Sequence, residues 1–173
     1  HSSTKEALRT ASALKILTRR YKVPLIINDR VDVASAVDSD GVHIGQADLK
    51  VSVARKILRP GKLIGVTVAC LAEARRAKRE GADYIGVGPV FKTPIKASRK
   101  ALGVGLLKKI RNLRIPIIAI GGINSKNISG LAQGGFKRVA VIRAVCSSRE
   151  TLRSTRKLKE AIMTTDYDAI VIG

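Results

Sequence analysis

Six short apolar runs, at residues 23–27, 42–44, 62–67, 84–88, 116–120 and 138–142, recur with helix-like patterns between most of them. The helical patterns cover 49–58, 71–80, 104–112 and 125–133, and a last one follows at 149–162. A helix between successive strands returns the chain to the edge it left, so each strand is laid parallel to the one before. Aromatic residues make up only 3% of the chain and Trp is absent. The core must therefore be built from Ile, Val, Leu and Ala, which suits parallel strands covered by helices. The expected fold class is α/β, either a Rossmann-like sheet or part of a (β/α)8 barrel.

The first helix is marked by Ser3 and Glu6, a capping-box spacing ahead of ALRTASALKILTRR at 7–20. The stretch VDVASAVDSD has room for two or three helical turns, and Gly81 and Gly134 fall where C-terminal helix caps belong. At 173 residues, 45% hydrophobic and 27% charged, the chain has a globular composition with one substantial core. Cys70 and Cys146 stand far apart in no metal-like spacing, and read as reduced thiols of a cytoplasmic protein. No run approaches a membrane span, so no membrane partner is expected. The net charge of +20 is carried by helical stretches such as LAEARRAKRE (71–80) and RETLRSTRKLKEAI (149–162), which read as solvated outer faces. Nucleic acid is expected to bind only nonspecifically through that charge, because no stacking platform or zinc-finger spacing accompanies it.

The chemistry lies at the strand ends. VPLIINDRVD (23–32), GVHIGQADL (41–49) and ADYIGVGPVFKTPIK (82–96) each stop abruptly at polar groups, as parallel α/β enzymes do at the C-terminal ends of their strands. Asn28 and Asp29 end the first run and Asp48 follows the second. Two carboxylates there can share one Mg²⁺ with a substrate phosphate. Equally, Asp48 can cap the helix beginning near Leu49, and Asp29 can pair with Arg30. His43 sits inside its strand as a hydrogen-bonded structural group or as a base, and Thr67 ends the third run, where its hydroxyl could meet a ligand. In FKTPIK, Thr93 and Lys96 offer a hydroxyl and an ammonium to an anion. Gly121 and Gly122 precede a helix capped by Asn124 or Ser125, exposing backbone N–H groups to a phosphate, and Ile142 and Arg143 add further donors after the last run. That order matches the phosphate site of (β/α)8 barrels and favours a barrel over a Rossmann sheet.

Taken together, PLIINDRVD, GVHIGQADL, GADYIGVGPVFKTP followed by Lys96, IPIIAIGGIN and VAVIRAV resemble the thiamine phosphate synthase family over roughly residues 5–150. The resemblance implies a TIM-type (β/α)8 barrel, here incomplete, with strands three to eight present. It also implies the joining of an aminopyrimidine-methyl diphosphate to a thiazole phosphate with release of diphosphate. Asn28 and Thr67 would then contact the pyrimidine, Asp29 and Asp48 would hold Mg²⁺, and Lys96 would face the leaving diphosphate, with Lys96 and Thr67 as the catalytic pair. Thr93, Ile95, Gly121, Gly122, Ile142 and Arg143 would bind the thiazole phosphate.

Ile95 replaces a usual second Thr, Arg143 stands where Ser is common, and the family's first two strands with their diphosphate-binding run are not in the sequence. The chain divides accordingly into a barrel portion at 1–162 and a tail at 163–173 whose DYDAIVIG is like the first strand of a dinucleotide-binding domain. Both termini read as cut. Six strands leave two open edges, which invites homo-oligomer formation. Two other functions fit the residues: a non-catalytic basic remnant that binds polyanions or a partner, and a thiazole tautomerase.

Overall fold

A computed structural model describes residues 3–94 and 100–162, together with the backbone of 170–171. Its strands are β1 (Ile26–Asn28), β2 (Gly41–Ile44), β3 (Leu63–Val68), β4 (Tyr84–Val87), β5 (Ile117–Ile120), β6 (Val139–Ala140) and β7 (Ile170–Val171), which follow one another in chain order within one sheet. The helices are α1 (Thr4–Arg20), α2 (Val31–Ala36), α3 (Val51–Ile57), α4 (Leu71–Arg79), α5 (Gly103–Arg111), α6 (Ile128–Gln133), α7 (Arg143–Cys146) and α8 (Thr151–Ile162). The alternation expected from the sequence is the alternation observed. Among the described residues no helix is long and apolar enough to cross a membrane.

Two compact units partition the chain, His1–Thr67 with Arg75–Ile85, and Val68–Ala74 with Gly86–Gly173. In the first, β1 pairs parallel with β2 and β2 with β3, in the register Asn28↔His43 and His43↔Gly65. Val42, Ile44, Ile64 and Val66 are buried, as are Val31, Ala34, Val51 and Ala54 of α2 and α3. Period-two alternation therefore places Asn28, His43, Gly65 and Thr67 on the opposite face of the strands. In the second unit β5 pairs parallel with β6, and β6 with β7 in the register Val139↔Ile170. Here α8 packs on α6 and α7, and Leu158 and Ile162 of α8, Ile128 and Leu131 of α6 and Val145 of α7 are all buried.

A repeated device fixes the strand starts in the first unit. Asp40, just before β2, accepts the Leu25 N–H at 2.8 Å and the Lys15 ammonium of α1 at 2.9 Å. Asp83, just before β4, accepts the Ile64 N–H at 2.7 Å and the Arg55 guanidinium of α3 at 2.7 Å. In each case a carboxylate ties the start of the preceding strand to the helix that leads into it. Burial alone would raise the Asp40 carboxyl, yet the Leu25 N–H and Lys15 together hold it below the usual carboxylate range.

Several local expectations need correction. Strand β1 starts at Ile26 rather than at residue 23, since Pro24 has no N–H for the ladder. Ser3 does cap α1, accepting the Glu6 N–H at 3.2 Å. Helix α6 starts at Ile128 with Asn127 at its N-cap, not at Asn124 or Ser125. Gly134 is its C-cap in right-handed geometry, and the left-handed residue is Gly135 at φ 77°. Gly81 is left-handed at φ 86° after α4, as the sequence suggested. The run at 138–142 contributes only Val139 and Ala140 to β6, because the backbone turns into the short helix α7 immediately afterwards.

Candidate functional site

The first unit carries four of the expected groups at the C-terminal ends of its strands. Asn28 and Asp29 are exposed at the end of β1, where the Asp29 N–H donates to the His43 carbonyl at 2.8 Å across the pair. Asp29 has φ 62°, a left-handed conformation tolerated by a short polar side chain, and it turns the chain out of the strand. It does not pair with Arg30, which binds Asp32 instead, with N–O distances of 2.6 and 2.8 Å. That hydrogen-bonded pairing pulls the Asp32 carboxyl down to about 2.

Asp48 does not cap α3, whose N-cap is Lys50. Its Oδ2 turns back to accept the Gly45 N–H at 2.7 Å, and a Cβ on Gly45 would lie 3.0 Å from that oxygen. The glycine thus lets the carboxylate fold against the backbone. Among the described residues, Asp48 Oδ1 has no hydrogen-bond partner. One oxygen of this exposed carboxylate is thus fixed by the backbone. No cluster of three or more His, Cys, Asp or Glu side chains suited to a metal exists among the described residues. Two carboxylates are the donor set that Mg²⁺ uses when a substrate phosphate completes its shell, so Asp29 and Asp48 fit that cation by chemistry.

Thr67, at the end of β3, is 8% exposed. Its hydroxyl is engaged, 2.8 Å from His43 Nε2, while His43 Nδ1 lies 3.2 Å from the Tyr84 hydroxyl. The two rings stack at 5.5 Å. The Thr67 carbonyl accepts from Gln46 Nε2 at 2.6 Å, and Gln46 Oε1 accepts from the Arg76 guanidinium of α4. Sequence reading found His43 as a hydrogen-bonded group but missed Tyr84, Gln46 and Arg76. Burial first, and then the Asp83 charge, push the Tyr84 phenol up to about 12.

The second unit holds residues expected on the anion side. Val90 N–H donates to the Ile120 carbonyl at 2.9 Å and Phe91 N–H to the Gly121 carbonyl at 3.1 Å, so the loop after β4 runs along the end of β5. Contact this close needs glycine. At Gly121, φ 88°, a Cβ would meet Pro89 at 2.6 Å; at Gly122, φ 69°, it would meet the Lys92 and Phe91 carbonyl oxygens at 2.5 and 2.7 Å. The Gly122 carbonyl accepts from Asn124 Nδ2 at 3.3 Å and Asn127 Nδ2 at 2.9 Å, which orients the turn. Thr93 is half-buried in that loop. Ile142, 47% exposed, is the N-cap of α7, and Arg143 is exposed in its first turn. Ile95 and Lys96 lie outside the described residues, as does most of the tail expected to mimic a dinucleotide-binding strand.

A profile of the family described as thiamine monophosphate synthase matches residues 1–145. The chain is 45% identical over 172 residues to a thiamine-phosphate synthase of Chloroflexus aurantiacus, covering 98% of this chain and 79% of that protein. It is 43% identical to one from Ruminiclostridium cellulolyticum, over 92% of this chain and 76% of that one. The structure of a thiamine phosphate pyrophosphorylase from Pyrococcus furiosus superposes with a TM-score of 0.87 at 38% identity, over 94% of this chain and 78% of the other.

Proposed function

The chain belongs to the thiamine monophosphate synthase family, and we infer from that membership that it is a transferase making thiamine phosphate. The reaction joins 4-amino-2-methyl-5-pyrimidinylmethyl diphosphate to 4-methyl-5-(2-phosphoethyl)thiazole. The carbon–oxygen bond to the diphosphate breaks, and the thiazole nitrogen lone pair forms the new carbon–nitrogen bond. The observation that carries this reading is the match of family and chemistry at the strand ends: two carboxylates after β1 and β2, and a glycine turn after β5. No protein nucleophile is required. Catalysis of this kind rests on positioning and on stabilising the departing charge.

Asp29 and Asp48 would hold Mg²⁺, Asp48 being pre-oriented by the Gly45 N–H. When bound, the ion supplies neutralisation of the charge that develops on the leaving diphosphate. Lys96 would face the same group. Asn28 and Thr67 would contact the pyrimidine. Thr93, Ile95, Gly121, Gly122, Ile142 and Arg143 would receive the thiazole phosphate, the glycines through backbone N–H groups. Strands β1 to β6 would be strands three to eight of the family's barrel, in keeping with a chain that spans 78–79% of the length of its relatives. A cytoplasmic location, self-association through strand edges and salt-sensitive polyanion binding from the +20 charge belong to the same proposal.

The test is diphosphate release by the purified chain with both precursors and Mg²⁺. Release that needs both precursors, and that falls at least about 100-fold in Asp29→Asn and Asp48→Asn, is the expected result. Release unaffected by either substitution would sink the metal assignment. Isomerisation of the thiazole phosphate without any pyrimidine would favour a tautomerase. Polyanion binding alone, with no saturable uptake of either precursor, would favour the non-catalytic reading.

A further inference from the structure

His43 stands between two hydroxyls, and the proton it carries decides what each can do. Tyr84 is 9% exposed, and its phenol, pushed up to about 12, keeps its proton at neutral pH. A buried O–H without an acceptor is more costly than a buried lone pair without a donor. Among the described residues, the acceptor within reach of the Tyr84 hydroxyl is His43 Nδ1, at 3.2 Å. If Nδ1 accepts, the neutral ring carries its proton on Nε2. Nε2 then donates to Thr67 Oγ1 across 2.8 Å, and the hydroxyl proton of Thr67 is not needed for that bond.

The backbone around Thr67 is braced independently. Gln46 must direct Oε1 to Arg76, which only donates, and Nε2 to the Thr67 carbonyl, which only accepts, so its amide orientation is fixed by its partners. Gly65 completes the arrangement: it pairs with His43, and the Tyr84 ring occupies the space a side chain would fill.

We propose that His43 is a positioning residue, held by Tyr84 in the Nε2–H tautomer, so that Thr67 receives that proton and offers its own hydroxyl proton to an acceptor atom of the bound aminopyrimidine. Thr67 thereby selects for a ring nitrogen or another lone pair at that place and against a donor. The substrate half of the proposal rests on the synthase reading; the tautomer half does not.

Nitrogen-15 NMR of the whole chain labelled at histidine tests the tautomer directly. The chain holds two histidines, His1 and His43, and His43→Gln assigns the signals. The expected result is a pyridine-type Nδ1 and a protonated Nε2 at neutral pH, with the preference lost in Tyr84→Phe. A protonated Nδ1, or a tautomer unchanged by Tyr84→Phe, would overturn the proposal.

Calorimetric binding of the pyrimidine diphosphate then tests the consequence. Thr67→Val and His43→Leu should each weaken it about tenfold or more, the usual effect of one lost hydrogen bond. Thr67→Ser should restore what Thr67→Val loses, and His43→Gln, whose amide N–H can replace Nε2–H, should recover most of what His43→Leu loses. Binding of the thiazole phosphate reports whether each variant is folded. Equal binding by Thr67→Val and Thr67→Ser would overturn the donor role. A native chain with the Nε2–H tautomer that binds no pyrimidine diphosphate would overturn the synthase reading and the substrate half with it, while upholding the tautomer.

Discussion

Replacing Gly65 by Ala adds one methyl group, and the structure says where it lands. An ideal Cβ would lie 2.0 Å from Tyr84 Cζ and 2.4 Å from both Cε2 and the hydroxyl oxygen. Carbon atoms pack at about 3.5–4.0 Å, so the ring must withdraw by well over one ångström. Gly65 is not in left-handed backbone, so the penalty is steric. Displacing the ring breaks the Tyr84–His43 hydrogen bond and leaves two buried polar atoms, at about 1–3 kcal/mol. Losing the ring stack adds roughly 0.5–1 kcal/mol, and overpacking about 1–3 kcal/mol. Reduced freedom of the unfolded chain returns about 0.4–1 kcal/mol. The net loss is about 2–6 kcal/mol, a large share of the stability of a domain this size. Urea unfolding should show a midpoint about 1–3 M lower. Tyr84→Leu removes the far ring atoms, so Gly65→Ala measured in that background should cost less than about 1 kcal/mol. An equal cost in both backgrounds, or a change below about 0.5 kcal/mol in the native one, would refute the clash argument.

Three further outcomes follow from the same geometry. Gly122→Ala forces an L residue to φ 69° and a methyl against two carbonyl oxygens, so thermal unfolding should show a loss of about 2–4 kcal/mol. Tyr84 is raised from 10.0 to about 12, so its contribution is complete below about pH 10 and is lost as pH rises toward 12. That is roughly 2–3 kcal/mol, and Tyr84→Phe should flatten the alkaline fall in urea midpoint. Asp40, lowered in the fold, stabilises above about pH 4 and ceases to as pH falls through its depressed value. Asp40→Asn should therefore lose about 1–3 kcal/mol at pH 6, and the gap between native and variant midpoints should narrow as pH falls through that depressed value.

The pattern that is local in the chain was legible in it. Apolar runs alternating with amphipathic stretches dictate parallel strands joined by helices, because no other arrangement buries both kinds of surface. The Ser3 and Glu6 cap, the turn at Gly81 and the polar groups closing β1, β2 and β3 could be read for the same reason: each depends on neighbours within a few residues. Where a local rule had two outcomes, only the fold chose. Arg30 reached Asp32 rather than Asp29, and Asp48 folded back on Gly45 rather than onto the start of α3.

What joins distant segments was not in the pattern. Tyr84 lies 41 residues from His43 and Arg76 lies 30 from Gln46, and nothing in their own sequence neighbourhoods marks them as partners. They meet because parallel pairing sets His43 beside Gly65, and the missing side chain at Gly65 leaves room for a ring from β4. Likewise Gly121 and Gly122 announce a turn in the sequence, but only the approach of the 89–92 backbone shows why no larger residue fits. The sequence by itself determined the class of fold and the polar groups that close its strands, since both follow from short-range pattern. Tertiary structure decided which hydroxyl, imidazole and amide share a proton, because hydrogen bonding depends on distances of a few tenths of an ångström between segments that the chain keeps far apart.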